Sequence, residues 1–462
     1  MANGDKNAVK NIAGAFKRGS LATRLSFFIM GAGHFLHRRY VKGALYLAVQ
    51  VLFFLFMISG GAQTVAHLFS GDLGTRVSGE VWNEELQIFE KVRGDNSFLV
   101  LLYGVAALLL TAVYLYLWYQ NVLDCYKADV MLRKGERLPT AREEALRLIN
   151  ERFHIPLLLP PLLGLLVFTV LPLVFMVLIA FTNYDYAHMP PGKLFDWVGL
   201  QNFKAFFTLS GGTSSFAKVF LRVLLWTFVW AFLATFSNYF IGLVLALAIN
   251  RKGIRAKSVF RTMFVLAIAV PQFVSLLLMQ KILDGDGILN KILGTEILWL
   301  SDQRNFSLLP RLMILLVNIW VGVPYTLLMS TGILINIPSD YFEAAKIDGA
   351  SPLKAFMHVT LPYMLQVTTP YLITQFVTNV NNFNVIWLLT GGGPVDNIYY
   401  GGGTQAQSTD LLVTWLYRLT TDKNPRYNVA AVIGIAIFII CATASLIVYG
   451  RSASSRAEED FQ

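Results

Sequence analysis

Ionised side chains are scarce in this chain: Asp, Glu, Lys and Arg together make up 14% of 462 residues, against about 25% in soluble domains. With 55% of residues apolar, a water-soluble fold is excluded and a bilayer is required as solvent. Cysteine is nearly absent. The two present, Cys125 and Cys441, fall in a predicted cytoplasmic loop and in the last apolar run, so no disulfide is expected. None of the 35 glycines belongs to a G-x-x-x-x-G-K-[ST] phosphate loop, which excludes ATP hydrolysis by that route. No G-x-S-x-G elbow presents a nucleophile, so no enzyme active site and no cofactor are expected. His34 and His37 have no Cys or carboxylate beside them in the sequence, and no metal site is expected there. The first forty residues are polar and basic around a short apolar patch at 25–33, which is not a cleavable signal peptide, so the first long run acts as its own insertion signal. The excess of positive charge, +10 overall, has no aromatic-basic motif beside it, and nucleic acid is not expected as a partner.

What the sequence has instead is long uncharged runs. A bilayer crossing takes about 20 residues, and runs of that order lie at 43–66, 97–123, 155–184, 223–250, 262–280, 312–339, 359–395 and 427–450. The seventh is too long for one helix and ends in Gly391-Gly392-Gly393-Pro394, so its helix is expected to stop near Thr390. The fold class read from this is all-α, an integral membrane protein with eight transmembrane helices. With both termini inside, the cytoplasmic segments carry 24 of the 38 Lys and Arg, in keeping with the retention of positive charge on that side. Anionic lipid headgroups are the expected neighbours of that charge.

Organisation follows from the runs. Residues 1–41 read as a cytoplasmic tail, 42–123 as a two-helix hairpin with a modest external loop at 70–96, and 124–154 as a charged cytoplasmic linker whose 142–152 portion is a solvated amphipathic helix. A six-helix core fills 155–450, and 451–462 is a second cytoplasmic tail.

The runs lack Asp, Glu, Lys and Arg in their interiors, whereas an ion-coupled carrier places ionisable groups there for its coupling ion. An ion-coupled sugar carrier therefore remains an alternative only through neutral sodium ligands. Neutral polarity does occur at helical spacing. Gln375, Asn379 and Asn382 stand at i, i+4 and i+7, with Asn381, Phe383, Asn384 and Trp387 alongside. Carboxamides with aromatic faces suit a sugar, since hydroxyls pair with amides and the C–H face of a pyranose packs on a ring. The same amides could equally hydrogen-bond neighbouring helices. In the sixth run, Trp320, Gly322, Pro324 and Tyr325 interrupt an aliphatic helix. A kink is expected at Pro324, and Gly322 lets a ligand or a neighbouring helix come close.

Between the sixth and seventh runs lies the polar, breaker-rich stretch EAAKIDGASPLKAFMHVTLP, residues 343–362. Pro338 stops the preceding helix, Asp340 caps the next with Glu343 three residues on, Gly349 opens a turn, and Ser351 with Pro352 starts a second short helix. That pattern, Glu-Ala-Ala, then Gly, then aliphatic-x-Leu-Pro, resembles the coupling loop of permease subunits in ATP-binding-cassette importers. WVGVPYTLLMSTGIL (320–334), ITQFVTNVNNFNVIWLLTGGGP (373–394) and TDLLVTWLYRLT (409–420) stand around it in the order and spacing of the larger, MalF-like subunit of maltose and maltodextrin permeases.

The resemblance implies a type I importer permease with no catalysis of its own. It implies a second, MalG-like permease, a cytoplasmic MalK-like ATPase dimer and an extracellular sugar-binding protein, a tethered lipoprotein in the Gram-positive versions that this chain matches best. By position it implies sugar contacts at Gly322, Tyr325, Gln375, Asn379, Asn382 and Asn384, and coupling to the ATPase through Glu343, Ala344, Ala345, Gly349, Leu361 and Pro362 within a loop at 338–362. Two positions depart from the enteric pattern: Gln375 stands where a smaller hydroxyl residue is usual and Asn384 where an aliphatic one is. The external loop at 185–215 is also short beside the large insertion of those relatives. A more polar pocket and a different glycan, such as a galacto-oligosaccharide, are thus compatible with the pattern, and the bacterial cell membrane is the implied location.

Overall fold

The computed structural model describes residues 12–75, 79–83, 87–92, 94–207, 215–251, 257–399 and 403–451. The first eleven residues and the predicted tail beyond Arg451 lie outside the described residues. The chain divides into two compact units, 1–199 and 200–462.

The first unit begins with three short helices, α1 (Ile12–Arg18), α2 (Leu21–Leu25) and α3 (Ala32–Leu36), followed by α4 (Tyr40–Ser70). Within α4 a wide π-type turn at Met57–Gly61 places Gly60 at φ 146°, which only glycine adopts without strain. A two-stranded antiparallel hairpin follows, β1 (Gly79–Asn83) paired with β2 (Ile88–Val92). The predicted all-α class holds for everything else among the described residues. The hairpin falls within the external loop expected at 70–96, where two five-residue strands carry too little periodicity to stand out.

Helix α5 (Ser97–Arg133) starts on the Asn96 cap, whose side chain accepts from Phe98 N and Leu99 N. It continues ten residues past the predicted end at Leu123, so Cys125, expected in a loop, is a buried residue of a helix. Its extra turns find partners in α1 to α3. Asp129 accepts from Ser20 N at 2.8 Å and Ser20 Oγ at 2.6 Å, and from Thr23 Oγ1. Helix α6 (Ala141–Asn150) opens with a capping box between Thr140 and Glu143. The last long helix of the unit is α7 (His154–Ile179), which contains a π-type turn at Leu166–Val170 just before Pro172, whose missing N–H loosens the backbone ladder there. Leu157, Leu158, Leu162, Leu163 and Phe168 on α7 are at least half exposed. In water that apolar area would be unfavourable by about 25 cal/mol per Å², and hydrocarbon removes the penalty.

The second unit contains α8 (Gln201–Phe207), α9 (Phe216–Asn250), α10 (Lys257–Ala269), α11 (Gln272–Ile282), α12 (Ile288–Leu293) and α13 (Arg304–Ile335). The predicted fifth span is not one helix: α10 and α11 meet at 88°, because Pro271 cannot donate a backbone bond and forces Val270 out of the helical region. Helix α13, in contrast, runs unbroken through Pro310 and Pro324. It packs closely on α9: a Cβ at Gly242 would come within 2.1 Å of Thr326 Oγ1, and that hydroxyl donates to Asn238 O at 2.8 Å.

Helix α14 (Ser339–Ile347) and α15 (Pro352–Ala355) flank Gly349, and α15 runs through a π-type turn at Phe356–Thr360 into α16 (Leu361–Val380). Two residues of non-helical backbone, Asn381 and Asn382, separate α16 from α17 (Phe383–Thr390), so the predicted seventh span is interrupted before Thr390. Helices α18 (Leu412–Thr421) and α19 (Tyr427–Arg451) complete the unit. Trp230, Leu276, Ile314, Val385, Ile386 and Leu411 belong to a buried cluster beside the cavity described below.

Among the described residues six helices are long and apolar enough to cross a membrane, or seven when the bent pair α10–α11 counts as one. The protein is a multi-pass membrane protein.

Candidate functional site

A cavity of about 610 Å³ lies in the second unit, between α9, α13, α16 and the start of α17. Eight of its eighteen lining residues are Asn or Gln, and none is Asp, Glu, Lys, Arg or His. All six positions assigned to sugar contact, Gly322, Tyr325, Gln375, Asn379, Asn382 and Asn384, fall on its wall.

They do not all arrive there as the periodicity suggested. Helix α16 ends at Val380, so Asn379 and Asn382 are not one helical stripe. The two amides meet because the chain breaks between them. Asn382 Nδ2 donates to Asn379 Oδ1 at 3.2 Å, and Asn382 Oδ1 caps α17 by accepting from Val385 N. Asn379 Nδ2 donates in turn to Thr235 Oγ1 at 2.9 Å, and its carbonyl accepts from Trp230 Nε1 at 3.1 Å. Of the alternatives left open by the sequence, hydrogen bonding between neighbouring segments is therefore present for two of the amides. Asn379 and Asn382 bond the structure together, while Gln375 is half-buried and Asn384 exposed at the same cavity.

Two further residues line the cavity that spacing did not single out. Asn318 on α13 is 5% exposed and its Nδ2 has no hydrogen-bond partner; Asn238 on α9 has an unpaired buried Oδ1. A buried donor and a buried acceptor are thus left without partners on two residues of the same cavity wall. Each is an Asn in the middle of a largely apolar helix, and only the polarity of that position could have flagged it. Gly322 has a direct reason for lacking a side chain, since a Cβ there would stand 2.2 Å from Asn238 Nδ2.

The 343–362 segment lies apart from the cavity. Glu343 and Ala344 are exposed, Ala345 half-buried, and Gly349 has φ +73° with open space around it. Left-handed backbone, not crowding, is thus what requires glycine at that turn. Ser351 caps α15 by accepting from Lys354 N, as expected, but α14 starts at Ser339 with no side-chain cap, so Asp340 sits inside the first turn and does not cap it. The second short helix is continuous with α16 through its π-type turn. Leu361 packs inward near Tyr239 and Met364, whereas Pro362 is exposed. Ile347, Leu353 and Tyr341 are 87%, 71% and 56% exposed, an apolar surface on an otherwise polar elbow that motif matching did not name.

In the first unit, the histidines read as having no acidic neighbours have them in space. His37 Nε2 lies 2.8 Å from Asp129 Oδ1, and His34 Nε2 lies 3.9 Å from Asp124 Oδ2. The carboxylates come from α5, some ninety residues on, which local sequence could not reveal. Arg39 and Lys42 each pair with both Asp124 and Glu144, so the charges of α6 are not all solvated. Burial and these cations hold the His34 imidazole down to about pKa 4.

Comparison with known proteins decides the family. Residues 238–456 match the family described as "Binding-protein-dependent transport system inner membrane component". The chain is 33% identical over 435 residues to the maltodextrin transport system permease protein MalC of Streptococcus pneumoniae, covering 91% of this chain and 93% of that protein. It belongs to the binding-protein-dependent transport permeases. The galactooligosaccharides transport system permease protein GanP of Bacillus subtilis is 34% identical over 436 residues, covering 93% of this chain and 97% of that protein. The maltose/maltodextrin permease MalF of Escherichia coli is 34% identical over 256 residues, covering 54% of this chain and 48% of that protein. Among solved structures, a bacterial alginate ABC transporter in complex with an alginate pentasaccharide-bound periplasmic protein superposes with a TM-score of 0.51 at 19% identity. The match covers 65% of this chain and 94% of that one and shows a shared permease fold. The resemblance carried by the motifs is therefore upheld over nine-tenths of the sequence. As a permease of this family the chain is a non-catalytic membrane component that works with an ATPase and a substrate-binding protein.

Proposed function

We propose that this chain is the larger permease subunit of an ATP-driven oligosaccharide importer of the maltodextrin type, passing sugar through the amide-lined cavity by alternating access. One observation carries the substrate class: a cavity of about 610 Å³ rich in carboxamides and free of ionised groups. Its size falls within the range of roughly 300–1,000 Å³ typical of small-molecule sites. A neutral polyhydroxylated ligand satisfies such a wall without a buried counter-charge. Gly322, Tyr325, Gln375, Asn379, Asn382 and Asn384 line its path in this reading, joined by Asn238 and Asn318.

The partners are a second, MalG-like permease, a MalK-like ATPase dimer and a lipoprotein that delivers sugar from outside. Eight spans, a two-helix amino-terminal extension ahead of a core at 155–450 and cytoplasmic termini complete the arrangement. The interrupted α16–α17 segment and the bent α10–α11 pair supply the two spans beyond the six long helices. Glu343, Ala344, Ala345, Gly349, Leu361 and Pro362 form the elbow through which the ATPase moves the core, with Ile347 and Leu353 as its apolar contact. Galacto-oligosaccharides form a second reading, favoured by the equal similarity to GanP.

The decisive measurement is co-purification of the complex from native membranes followed by ATPase assay with maltodextrins and with galacto-oligosaccharides. Stimulation by one class assigns the substrate, and stimulation by neither defeats the sugar reading. For the elbow, Gly349→Asp should abolish uptake with membrane insertion intact; normal uptake by that variant would remove its coupling role.

A further inference from the structure

The amide wall gives way to aromatic rings where α17 leaves the cavity. Phe383 lines the cavity, and Trp387, one helical turn on, stacks on it with ring centroids 5.4 Å apart and planes 20° from parallel. Tyr417 of α18 stands edge-to-face against both, 4.9 Å from each. The three rings therefore continue a cavity wall outward to the glycine-rich turn that begins at Gly391.

Packing alone does not account for Tyr417. Helix α18 buries Leu412, Trp415 and Leu419 in the core cluster of this unit, and Tyr417 points away from that face, 40% exposed. Trp387 is different in kind: Phe383 stacks on its ring, and the Arg418 guanidinium lies 5.3 Å from the ring centroid. It supports its neighbours, with Phe383 and Arg418 both packed on its ring. The frame behind the rings is rigid. Arg418 Nε donates to Asp410 Oδ2 at 3.2 Å and Arg418 Nη2 donates to Gly391 O, while Asp410, fully buried, also accepts from Thr414 Oγ1 at 2.9 Å and Gln407 N at 2.9 Å. Rings held in place before a ligand arrives lose little entropy on binding it.

We propose that Phe383 and Tyr417 form an aromatic shelf that takes one pyranose ring of an oligosaccharide extending beyond the amide-lined cavity, with Trp387 as a positioning residue. The chemistry is that of a sugar's C–H face on an aromatic face, with the Tyr417 hydroxyl available to a ring hydroxyl. The shelf makes the permease sensitive to chain length: a disaccharide is held by the amides, and a longer chain also reaches the rings. This inference rests on the sugar reading above.

The test uses the complete transporter in proteoliposomes with saturating binding protein. Concentration dependence of uptake is compared for maltose and maltohexaose, and in parallel for galactobiose and galactotetraose. Aromatic contacts of this kind contribute roughly 0.5–1.5 kcal/mol, so Tyr417→Ala should weaken handling of the long sugar about fivefold more than that of the short one. Tyr417→Leu, which keeps apolar bulk without a ring, should show the same selective loss, and Tyr417→Phe should recover most of it. Equal loss for short and long sugars, or no loss in either pair, overturns the shelf while leaving the sugar reading standing. Wild-type transporter that takes up none of the four sugars defeats the sugar reading and the shelf together.

Discussion

The polar interior of the first unit is ionic, and that of the second, at its cavity, is neutral. In the first, Arg39 and Lys42 face Asp124 and Glu144 while Asp129 gathers His37, Ser20 and Thr23, so every formal charge has an opposite charge or several donors beside it. In the second, amides line an open space in which some groups have partners and others, on Asn238 and Asn318, have none. An ion stripped of water is tolerable only when permanently paired, so a charged cluster is a fixed joint. An unpaired amide is unfavourable by only about 1–3 kcal/mol, a deficit small enough to be carried while the site waits for a ligand. In the sugar reading proposed above, the contrast separates polar groups that fasten from polar groups that receive.

The contrast can be broken most forcefully in the first unit. Asp124→Ala leaves Lys42 and Arg39 with Glu144 as their remaining counter-charge, and because Asp124 is 29% exposed a loss at the low end for a broken buried pair, about 3 kcal/mol, is expected in thermal or denaturant unfolding. A loss below about 1 kcal/mol would show that the cluster is not a joint. Next in size is a pH effect. The His34 imidazole has a folded pKa of about 4, depressed from 6.5, so between these values the unfolded chain binds a proton that the folded one refuses. Stability should fall as pH drops from about 6.5 to about 4 and level off below, by on the order of 3 kcal/mol in total, and His34→Gln should flatten that slope.

In the cavity the effects are smaller and divide by role. Asn379→Ala deprives both Asn382 Nδ2 and Thr235 Oγ1 of a partner, and a stability loss of about 1–2 kcal/mol is expected along with reduced uptake. Asn318→Ala removes a donor that has no partner, so stability should move by less than about 0.5 kcal/mol while sugar uptake still falls. Equal destabilisation by the two substitutions would erase the distinction between fastening and receiving amides.

Much of this protein was legible without coordinates. Continuous uncharged runs of about 20 residues favour helices in a bilayer, because a single apolar segment can satisfy its own backbone there only by intrasegment hydrogen bonds, so the long helices follow from composition. Gly349 and the Ser351-Pro352 start were equally readable, since they depend on the local φ preference of glycine and on a capping side chain. The carboxamides were visible as a cluster in 375–384 too. Their number and neutrality pointed to a sugar, but the helical stripe drawn through them was wrong because the chain breaks at Asn381.

What only the tertiary structure decided is which of these groups are already engaged. Asn379 and Asn318 are the same residue type on apolar helices, and the local sequence of neither says whether its amide already has a partner. The difference is that Thr235, from another helix, reaches Asn379, whereas no donor or acceptor reaches the Asn318 amide nitrogen. The acidic partners of His34 and His37 were hidden for the same reason, lying some ninety residues away on α5. Hydrophobicity and backbone preference are properties of a residue and its immediate neighbours, so the sequence alone sets solvent, helices and turns. Pairing energies depend on distances between segments remote in the chain, and those exist only once the helices have packed.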